Sequence, residues 1–460
     1  MAMIVMASCA KENVQTNENN DQSNDRRILE IGLASTKTQL GKEDNGFFPI
    51  VWSEGDEIAV IENMGVEGQN VSVYRLKEGA GTANGVFEHI SGDAFPKVIT
   101  DVVYPASAVV PNSTLISEIP IVNVSSLVPK DQTQSYEAGN FDKNAAVMYF
   151  HRNNAEDKIV LEPLSSIICI PIKGFDDNDV VTAVKWQNMD GRTATVTLNC
   201  PNGVKLSKGQ ATNFYLSIQP MLKDCNGIAY VYLKNGAIQV KTPRNLKAFQ
   251  AGTLHRFPEW TLSKKAKWTI KYIGSERKTS MSNQTPLGLG QYMIDGNDLS
   301  WWEFRRNSKG SMAGPHKVII DLGKTEHIKG LKIKGPETKI TSSYTVKDEF
   351  GENTITVSNG YNAPCSVFAS FLKEGELTEA FKSTFCNNNS FEKDAQEVHK
   401  AKITNGITFY YGEGMKDYWN INLKKEYDAR YLVIHFYQCW NDKENGGAAN
   451  KMKVAELDIY

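Results

Sequence analysis

The sequence predicts an all-β chain of several domains, and three observations lead to this fold class. The chain has 460 residues, more than one hydrophobic core usually organises, so about two to four domains are expected. Short runs rich in Val, Ile, Thr and Tyr recur about every eight to twelve residues between clusters of Gly, Asn and Pro. Long stretches with apolar residues at the helical period are scarce. Strands at this spacing are typical of β-sandwiches and jelly rolls.

Composition and charge narrow the class of protein further. Hydrophobic residues make up 41% of the chain and charged residues 23%, which is ordinary for soluble globular domains. The formal net charge of −2 is too small to attract a phosphate backbone, so nucleic acid is not an expected partner. The sequence has no run of about eighteen apolar residues, so no membrane-spanning helix is expected.

Residues 1–27 differ in composition from the rest of the chain. Residues 1–8 are apolar or small, and the sequence M-A-S-C that ends at Cys9 resembles the bacterial lipobox. That resemblance implies a lipid on Cys9, export, and anchoring at the outer membrane on the cell surface. Residues 10–27 are rich in Asn and Asp and too polar to bury, so they are predicted to form a flexible tether.

Residues 28–140 and 141–261 are each predicted to form a β-sandwich. The first contains T-K-T, W-S-E-G-D-E-I-A-V, G-T-A-N-G-V-F and V-Y-P-A-S in that order, and the second contains Y-E-A-G-N-F-D, L-E-P-L and N-F-Y-L-S-I-Q-P. This series of motifs resembles the fimbrillin-like proteins of Bacteroides-type bacteria. The resemblance implies two tandem transthyretin-like β-sandwiches in a surface lipoprotein that forms or decorates pili.

The same resemblance implies a route of assembly. In that family, cleavage after an Arg opens a groove for a strand of a neighbouring subunit, and the added strand satisfies a row of unpaired backbone groups. Arg27, just before the first predicted strand, is therefore a candidate processing site, and other fimbrial subunits are candidate partners. A stalk subunit would also need a C-terminal donor strand, whereas this chain continues into a further domain. A tip or accessory position is predicted.

A third domain is predicted over residues 268–460, after a short basic linker at 262–267. Its motifs are I-D-G-N-x-x-S-x-W, V-I-I-D-L-G, A-R-Y-L-V-I and V-A-E-L-D-I-Y, in that order. They resemble discoidin (coagulation factor type C) domains and the carbohydrate-binding modules of the same fold, which implies a discoidin-like β-jelly roll. The middle of the domain departs from this pattern and is predicted to hold an insertion around Phe368 to Glu397.

The stretch I-D-G-N-D-L-S-W is dense in oxygen ligands. Asp, Gly, Asn and Ser are turn-forming residues, so an Asx-type turn explains the composition. Calcium ions also prefer carboxylate, amide and carbonyl oxygens around a sharp glycine turn. The discoidin resemblance implies a structural Ca²⁺ held between this loop and the last strand. The ligands that it implies are Asp295, Asn297, Ser300 and Glu456, with the backbone carbonyls of Tyr292 and Ala455.

The discoidin resemblance also implies a shallow sugar site in other loops. An aromatic face covers the apolar side of a pyranose, while Arg, Asn or His side chains hydrogen-bond its hydroxyl groups. The candidates in predicted loops are Trp440, Asn441, Tyr361, Asn362, Arg305 and Arg306. A Trp in an alternating strand is more often a core residue, so Trp301, Trp302 and Trp419 are expected to be buried.

These patterns predict a binding protein. The sequence has no G-x-S-x-G, H-E-x-x-H or P-loop motif, its seven His residues lack metal spacing, and neither resembled family is enzymatic. A fimbria-associated adhesin at the cell surface, with a C-terminal domain that binds glycan or another surface ligand, is the leading interpretation. The alternative is a glycan-capture lipoprotein of a polysaccharide uptake system that is not part of a pilus. A glycoside hydrolase needs only two carboxylates close in space and is a third, weaker alternative.

Overall fold

The structure is a computed structural model, and its residues group into two compact units. The first unit comprises Met1–Ala34, Val51–Asn123 and Tyr149–Leu161, and the second comprises Ser35–Ile50, Val124–Met148 and Glu162–Tyr460. The structure describes residues 28–33, 51–64, 69–92, 98–109, 128–133, 142–154, 157–188, 195–221, 223–273, 290–297, 300–305, 317–335, 341–348, 351–358, 364–382, 396–400, 403–404, 407–408, 419–439 and 451–460.

Nearly all regular structure in these ranges is β-strand, which confirms the predicted all-β fold class. The strands before residue 262 are β1 (Ile28–Leu33), β2 (Glu57–Glu62), β3 (Asn70–Glu78), β4 (Asn84–Ser91), β5 (Asp101–Tyr104), β6 (Asp131–Thr133), β7 (Met148–His151), β8 (Val160–Pro163), β9 (Ser166–Lys173), β10 (Val180–Asn188), β11 (Val196–Lys205), β12 (Thr212–Ile218), β13 (Gly227–Leu233), β14 (Ile238–Lys241), β15 (Leu254–Arg256) and β16 (Trp260–Thr261).

The remaining strands lie in the predicted third domain. They are β17 (Thr269–Ile273), β18 (Trp302–Arg305), β19 (Lys317–Lys334), β20 (Thr341–Asp348), β21 (Gly351–Ser358), β22 (Pro364–Leu372), β23 (Gln396–Lys400), β24 (Ile403–Thr404), β25 (Ile407–Thr408), β26 (Trp419–Cys439), β27 (Lys451–Val454) and β28 (Glu456–Ile459). Short 3-10 helices span Ala106–Ala108, Lys143–Ala145, Lys264–Lys267 and Gly290–Met293. Within the described ranges no helix has the length and apolar character needed to cross a membrane.

The first unit is built on a sheet that closes into a barrel in the order β1-β4-β3-β2-β5-β7-β8. Closure comes from β8, which runs parallel to β1 and pairs Val160 with Gly32. Trp52 lies inside, with its ring edge-on to Phe87 at 4.8 Å and to Tyr104 at 5.5 Å. Edge-to-face contacts of this kind add to the stabilisation that burial of the aromatic rings provides.

The strands near the predicted boundary at residue 140 are distributed between the two units. Strands β7 and β8 follow that position in sequence but complete the barrel. Strand β6 precedes it but pairs parallel to β11. Gln132 of β6 is buried and holds Ser217 through two hydrogen bonds, donating to its carbonyl at 2.6 Å and accepting from its N–H at 2.9 Å. The predicted boundary stays a prediction. Both the barrel sheet and the sheet that contains β11 include strands from before and after residue 140.

The second unit begins with a two-sheet sandwich. One sheet has the order β14-β13-β10-β11-β6, and the other has the order β12-β9-β15, with β16 also beside β9. Trp186 lies between them, stacked on Phe257 at 5.1 Å. Cys169 is fully buried on β9. The packed side chains of this core include Ile168, Ile170, Ile172, Val184, Leu198, Phe214, Leu216, Val231 and Leu233.

The C-terminal domain is organised by two long antiparallel strands, β19 and β26. They lie in a sheet of order β17-β19-β26-β22-β23, and β28 also pairs with β19. The pair β18 and β27 forms a second layer, because Trp302 and Val454 join the core of the larger sheet. Trp302 is fully buried, as the sequence predicts, and its ring centroid lies 5.8 Å from that of Phe436. Two apposed layers are consistent with the jelly roll.

The ends of the predicted insertion belong to the main sheet. Phe368 and the residues up to Leu372 lie in β22, and Glu397 lies in β23. These two strands pair with each other, and β22 also pairs with β26. The segment that departs from the resembled pattern therefore contributes strands that complete the sheet.

The close approach of Gly227 to Trp186 gives a test of the sandwich core. A Cβ atom on Gly227 would lie 2.1 Å from Trp186 Cη2, whereas one on Gly209 would meet nothing closer than Ser207 Oγ at 3.8 Å. We expect Gly227→Ala to lower the free energy of unfolding by about 1 to 3 kcal/mol, because the Trp186 ring must shift. Urea unfolding followed by tryptophan fluorescence measures this, with Gly209→Ala as control. Equal stability of the two variants would contradict the packing described here.

Burial of His435 predicts a dependence of stability on pH. His435 on β26 pairs with Lys317 on β19; burial, and then the charge of Lys317, lowers the pKa of His435 to about 4. In the unfolded chain a His has a pKa of about 6.5, so below that value the unfolded state binds the proton more readily. The contribution of neutral His435 to the free energy of unfolding is complete above about pH 6.5 and is lost as the pH falls toward 4.

Denaturant titrations at pH values from about 7.5 to about 4 measure the contribution of His435 to stability. This pH range brackets the ordinary His pKa of about 6.5. His435→Gln should lose less stability on acidification than the unsubstituted protein. His327→Gln is the control, because Asp428 and Glu426 raise the pKa of the exposed His327, which gives a change of opposite sign. An acid response that His435→Gln leaves unaltered would show that His435 is not the responsible group.

Candidate functional site

The oxygen-rich loop of the C-terminal domain is folded around Asp295. Gly296 has a φ of 81°, a left-handed conformation that glycine adopts without strain. Asp295 Oδ1 accepts a hydrogen bond from the Asn297 N–H at 2.8 Å, and Asp295 Oδ2 accepts one from the Ser300 hydroxyl at 2.6 Å. Asn297 Nδ2 donates in turn to Ser300 Oγ at 3.2 Å. The three side chains are buried and form the network of an Asx-type turn.

Glu456 faces this loop from the last strand. It begins β28, which pairs with β19 through Lys334, and the preceding Ala455 N–H donates to the Lys334 carbonyl at 2.8 Å. The Glu456 side chain is 1% exposed, and its Oε1 accepts a hydrogen bond from Lys265 Nζ. Its Oε2 is buried and has no hydrogen-bond partner among the described residues. We call Lys265, Asp295, Asn297, Ser300 and Glu456 the clip.

The clip contains two buried carboxyls and one ammonium group. Burial, and then the charge of Glu456, raises the pKa of Asp295 well above its usual range. Burial also raises the pKa of Glu456 to about 7, against the opposing effect of Lys265. Desolvation penalises each charged carboxylate and a nearby like charge adds to the penalty. Within the clip, the Lys265 ammonium is therefore the one positive charge that stabilises the charged forms of both carboxyls.

Lys265 lies in the segment that the sequence predicts as a linker. Residues Lys264–Lys267 form a 3-10 helix whose first turn is capped by Ser263, with Oγ accepting from the Lys265 N–H at 3.2 Å. Ser263 also donates to Gln239 of β14 at 2.9 Å. Lys267 Nζ bonds Asp179 at 2.5 Å, and Lys264 Nζ lies 3.1 Å from Asp458. The segment is folded and joined to both of its neighbouring domains.

The second sandwich also contacts the Asp295 loop directly. The Val240 N–H donates to the Asp295 carbonyl at 3.3 Å, and the Thr242 hydroxyl donates to Asn297 Oδ1 at 3.4 Å. Tyr292, predicted to supply only a carbonyl, is buried with its ring centroid 6.3 Å from that of Tyr230. The clip therefore lies at the junction between the second sandwich and the C-terminal domain.

The structure brings together the predicted calcium ligands, but their arrangement does not fit calcium. Both Asp295 oxygens and the Ser300 oxygen are engaged within the loop, and Glu456 Oε1 is bonded to Lys265. Ca²⁺ requires about six to eight oxygen ligands, and the Lys265 ammonium stands against Glu456, the ligand expected from the last strand. The described residues also contain no group of three or more His, Cys, Asp or Glu side chains suited to a metal ion.

Lys265 is a residue of this site that the sequence motifs did not indicate. In L-S-K-K-A-K three lysines stand close together, and such a run usually indicates a solvated segment. The signal that could have found it is Ser263, since a Ser immediately before a charged run can cap a short helix and direct one lysine inward.

The remaining predicted site residues lie at or beyond the limits of the described chain. Arg305 is the last residue of β18, and only its backbone is described. The predicted sugar ligands Trp440, Asn441, Tyr361, Asn362 and Arg306, the lipidation residue Cys9 and the processing residue Arg27 lie outside the described residues. Their predicted roles stay predictions.

The strands that flank the predicted sugar ligands end in two pairs. Pro364, the first residue of β22, pairs with Cys439, the last residue of β26. Arg305, the last residue of β18, pairs with Lys451, the first residue of β27. The segment 440–450 runs from Cys439 to Lys451 and so joins these two pairs in sequence. We call the two pairs, Pro364 with Cys439 and Arg305 with Lys451, the loop end of the C-terminal domain.

The network around Asp295 gives a test of the site. Ser300→Ala should lower the free energy of unfolding by about 1 to 3 kcal/mol, because the buried Asp295 carboxyl loses its hydroxyl donor. Thr242→Val is the matched control, since the bond it removes is 3.4 Å long and correspondingly weak. Denaturant titration of both variants measures the difference. A Ser300→Ala variant no less stable than Thr242→Val would show that the hydroxyl does not support Asp295.

Comparisons with known proteins match part of this chain. No family model matches it, and no curated protein matches it. Solved structures that match about 43% of the chain are family 32 carbohydrate-binding modules. One, from Clostridium perfringens NanJ in complex with galactose, is 14% identical over 43% of this chain and 95% of that chain, with a TM-score of 0.25.

A second module from Clostridium perfringens, in complex with GalNAc-β-1,3-galactose, is 12% identical over 43% of this chain and 97% of its own, with a TM-score of 0.25. A fragment of a chitobiase-like protein from Bacteroides thetaiotaomicron is 11% identical over 43% of this chain and 91% of its own, with a TM-score of 0.26. At TM-scores this low the likenesses carry no argument about ligand or mechanism, which depend on the residues described above.

Proposed function

We propose that residues 268–460 bind carbohydrate, and that the protein is a cell-surface, fimbria-associated adhesin whose sandwiches carry this domain. The loop end is the single observation that supports glycan binding most directly. Because Pro364 pairs with Cys439, the residues just before β22 and just after β26 leave the sheet at the same place. Tyr361 and Asn362 belong to the first of these segments, and Trp440 and Asn441 to the second.

The residue types at the loop end suit a sugar ligand. Trp440 and Tyr361 offer aromatic faces for the apolar side of a pyranose ring. Asn362, Asn441 and the neighbouring Arg306 offer amide and guanidinium groups for its hydroxyl groups. Such residues, next in sequence to the strand ends of a rigid sheet, are typical of binding sites formed by loops.

The clip supports this role by holding the strands that reach the loop end. Strand β18 runs from the residues after Ser300 to Arg305, and β27 runs from Lys451 toward Glu456. The two strands pair along their whole length. A fixed clip therefore fixes the position of both strand ends. This arrangement favours a binding surface that is formed before the ligand arrives, which reduces the cost of ordering loops on binding.

The surface and fimbrial parts of the proposal rest on the N-terminal sequence. The lipobox-like sequence at Cys9 and the fimbrillin-like series of motifs support attachment to the outer membrane in association with pili. Glycan binding by the C-terminal domain does not depend on that attachment.

Glycan binding by the full chain is the test of the proposed function. We expect binding to some glycans of an array that includes galactose- and GalNAc-terminated sugars, the sugars of two of the matched modules. Trp440→Ala should weaken the binding by at least about tenfold, since an aromatic platform usually contributes a large share of binding energy. Isothermal titration with the best glycan measures this loss.

Phe175→Ala is the matched control, because Phe175 is an exposed aromatic residue of the second sandwich and lies outside the proposed binding domain. Its affinity should equal that of the unsubstituted protein. Binding to no glycan on the array, or equal affinities of Trp440→Ala and Phe175→Ala, would overturn the proposal.

A further inference from the structure

Lys265 is a buried cation at a place where the sequence motifs imply a metal ion. Its side chain is 5% exposed, and its ammonium group bonds Glu456 and lies 3.8 Å from Asp458 Oδ2. Lysine is almost never buried this completely unless it is paired. The pairing partner here is one of the four side chains that the discoidin resemblance assigns to calcium.

The local fold determines the direction of the Lys265 side chain. Ser263 caps the 3-10 helix through the Lys265 N–H, and the helix continues into Trp268 of the C-terminal core. Lys265 Nζ lies 5.6 Å from the centroid of the Trp268 ring, a distance at which the ring face attracts a cation. The same short helix anchors Lys267 to Asp179 on the second sandwich. The backbone of Lys265 is therefore fixed by the helix, and its side chain is fixed by Trp268 and Glu456.

A second cation would meet unfavourable conditions in this site. The Lys265 ammonium already bonds Glu456. Its positive charge would repel a divalent cation placed close to the same carboxylate. The oxygens of Asp295 and Ser300 are occupied by hydrogen bonds within the loop. Calcium binding at Glu456 would therefore require the displacement of Lys265.

We propose that the Lys265 ammonium is the resident cation of the clip and replaces the calcium ion that the sequence motifs imply. The chain itself supplies the positive charge that joins the Asp295 loop to the last strand. The C-terminal domain is then independent of calcium. It is also joined to the second sandwich, because its cation comes from the segment between the two domains.

The test compares metal content and thermal stability of the full chain. Elemental analysis of the purified protein should find no stoichiometric calcium, and the melting temperature should be the same in EDTA and in millimolar CaCl₂. One calcium per chain, or a melting temperature that rises with calcium, would overturn the proposal. This measurement uses the unsubstituted protein, so it does not depend on the folding of any variant.

Substitution of the lysine gives the second arm. Lys265→Met keeps the length of the side chain, removes its charge, and should lower the melting temperature more than Lys264→Met does. The control is suitable because Lys264 is a neighbouring lysine, 42% exposed, that also pairs with Asp458. The double variant Lys265→Met, Glu456→Gln should recover part of the loss, since the carboxylate that Lys265 bonds directly no longer stays buried and unpaired. Equal melting temperatures for Lys265→Met and Lys264→Met would show that Lys265 is not the cation of the clip.

Discussion

The contact between Lys265 and Glu456 is the interaction on which the second unit depends. Both side chains are almost completely buried, and a buried charge that loses its partner costs about 3 to 5 kcal/mol. Lys265 comes from the segment after the second sandwich, and Glu456 from the strand that ends the chain. The pair therefore joins two positions separated by 191 residues. Removal of either partner would leave a charge in the interior and affect both domains.

The clip and the loop end are connected by two short strands. Strand β27, Lys451–Val454, ends two residues before Glu456, and four residues of extended strand span about 13 Å. Strand β18, Trp302–Arg305, has the same length, starts two residues after Ser300 and pairs with β27 throughout. The oxygen-rich loop is thus not part of the proposed ligand surface. It holds the strands from whose ends the proposed surface would extend.

The sequence predicted some features of this arrangement and missed others for physical reasons. Asp295 and Glu456 could be associated in advance because their motifs have a recognisable order, and the all-β class followed from strand spacing. The pairing of β8 with β1 in the barrel and of β6 with β11 in the sandwich could not be predicted. Parallel pairing joins strands that are distant in sequence and leaves no local pattern. Lys265 was missed because its burial depends on a cap, a ring and a partner carboxylate that only the folded chain assembles. The sugar-site residues stay predictions.

Burial of the Lys264–Lys267 segment bears on how the C-terminal domain could transmit a load. A solvated linker lets a domain reorient freely, but this segment is held by Asp179 on one side and by Glu456 and Asp458 on the other. Reorientation would expose the Lys265 pair and separate Tyr292 from Tyr230. A force applied to a glycan at the loop end would therefore pass along β18 and β27 to the clip, and through Lys265 into the second sandwich. The proposed adhesin role requires such a path, because the proposed glycan site and the proposed anchor belong to different domains.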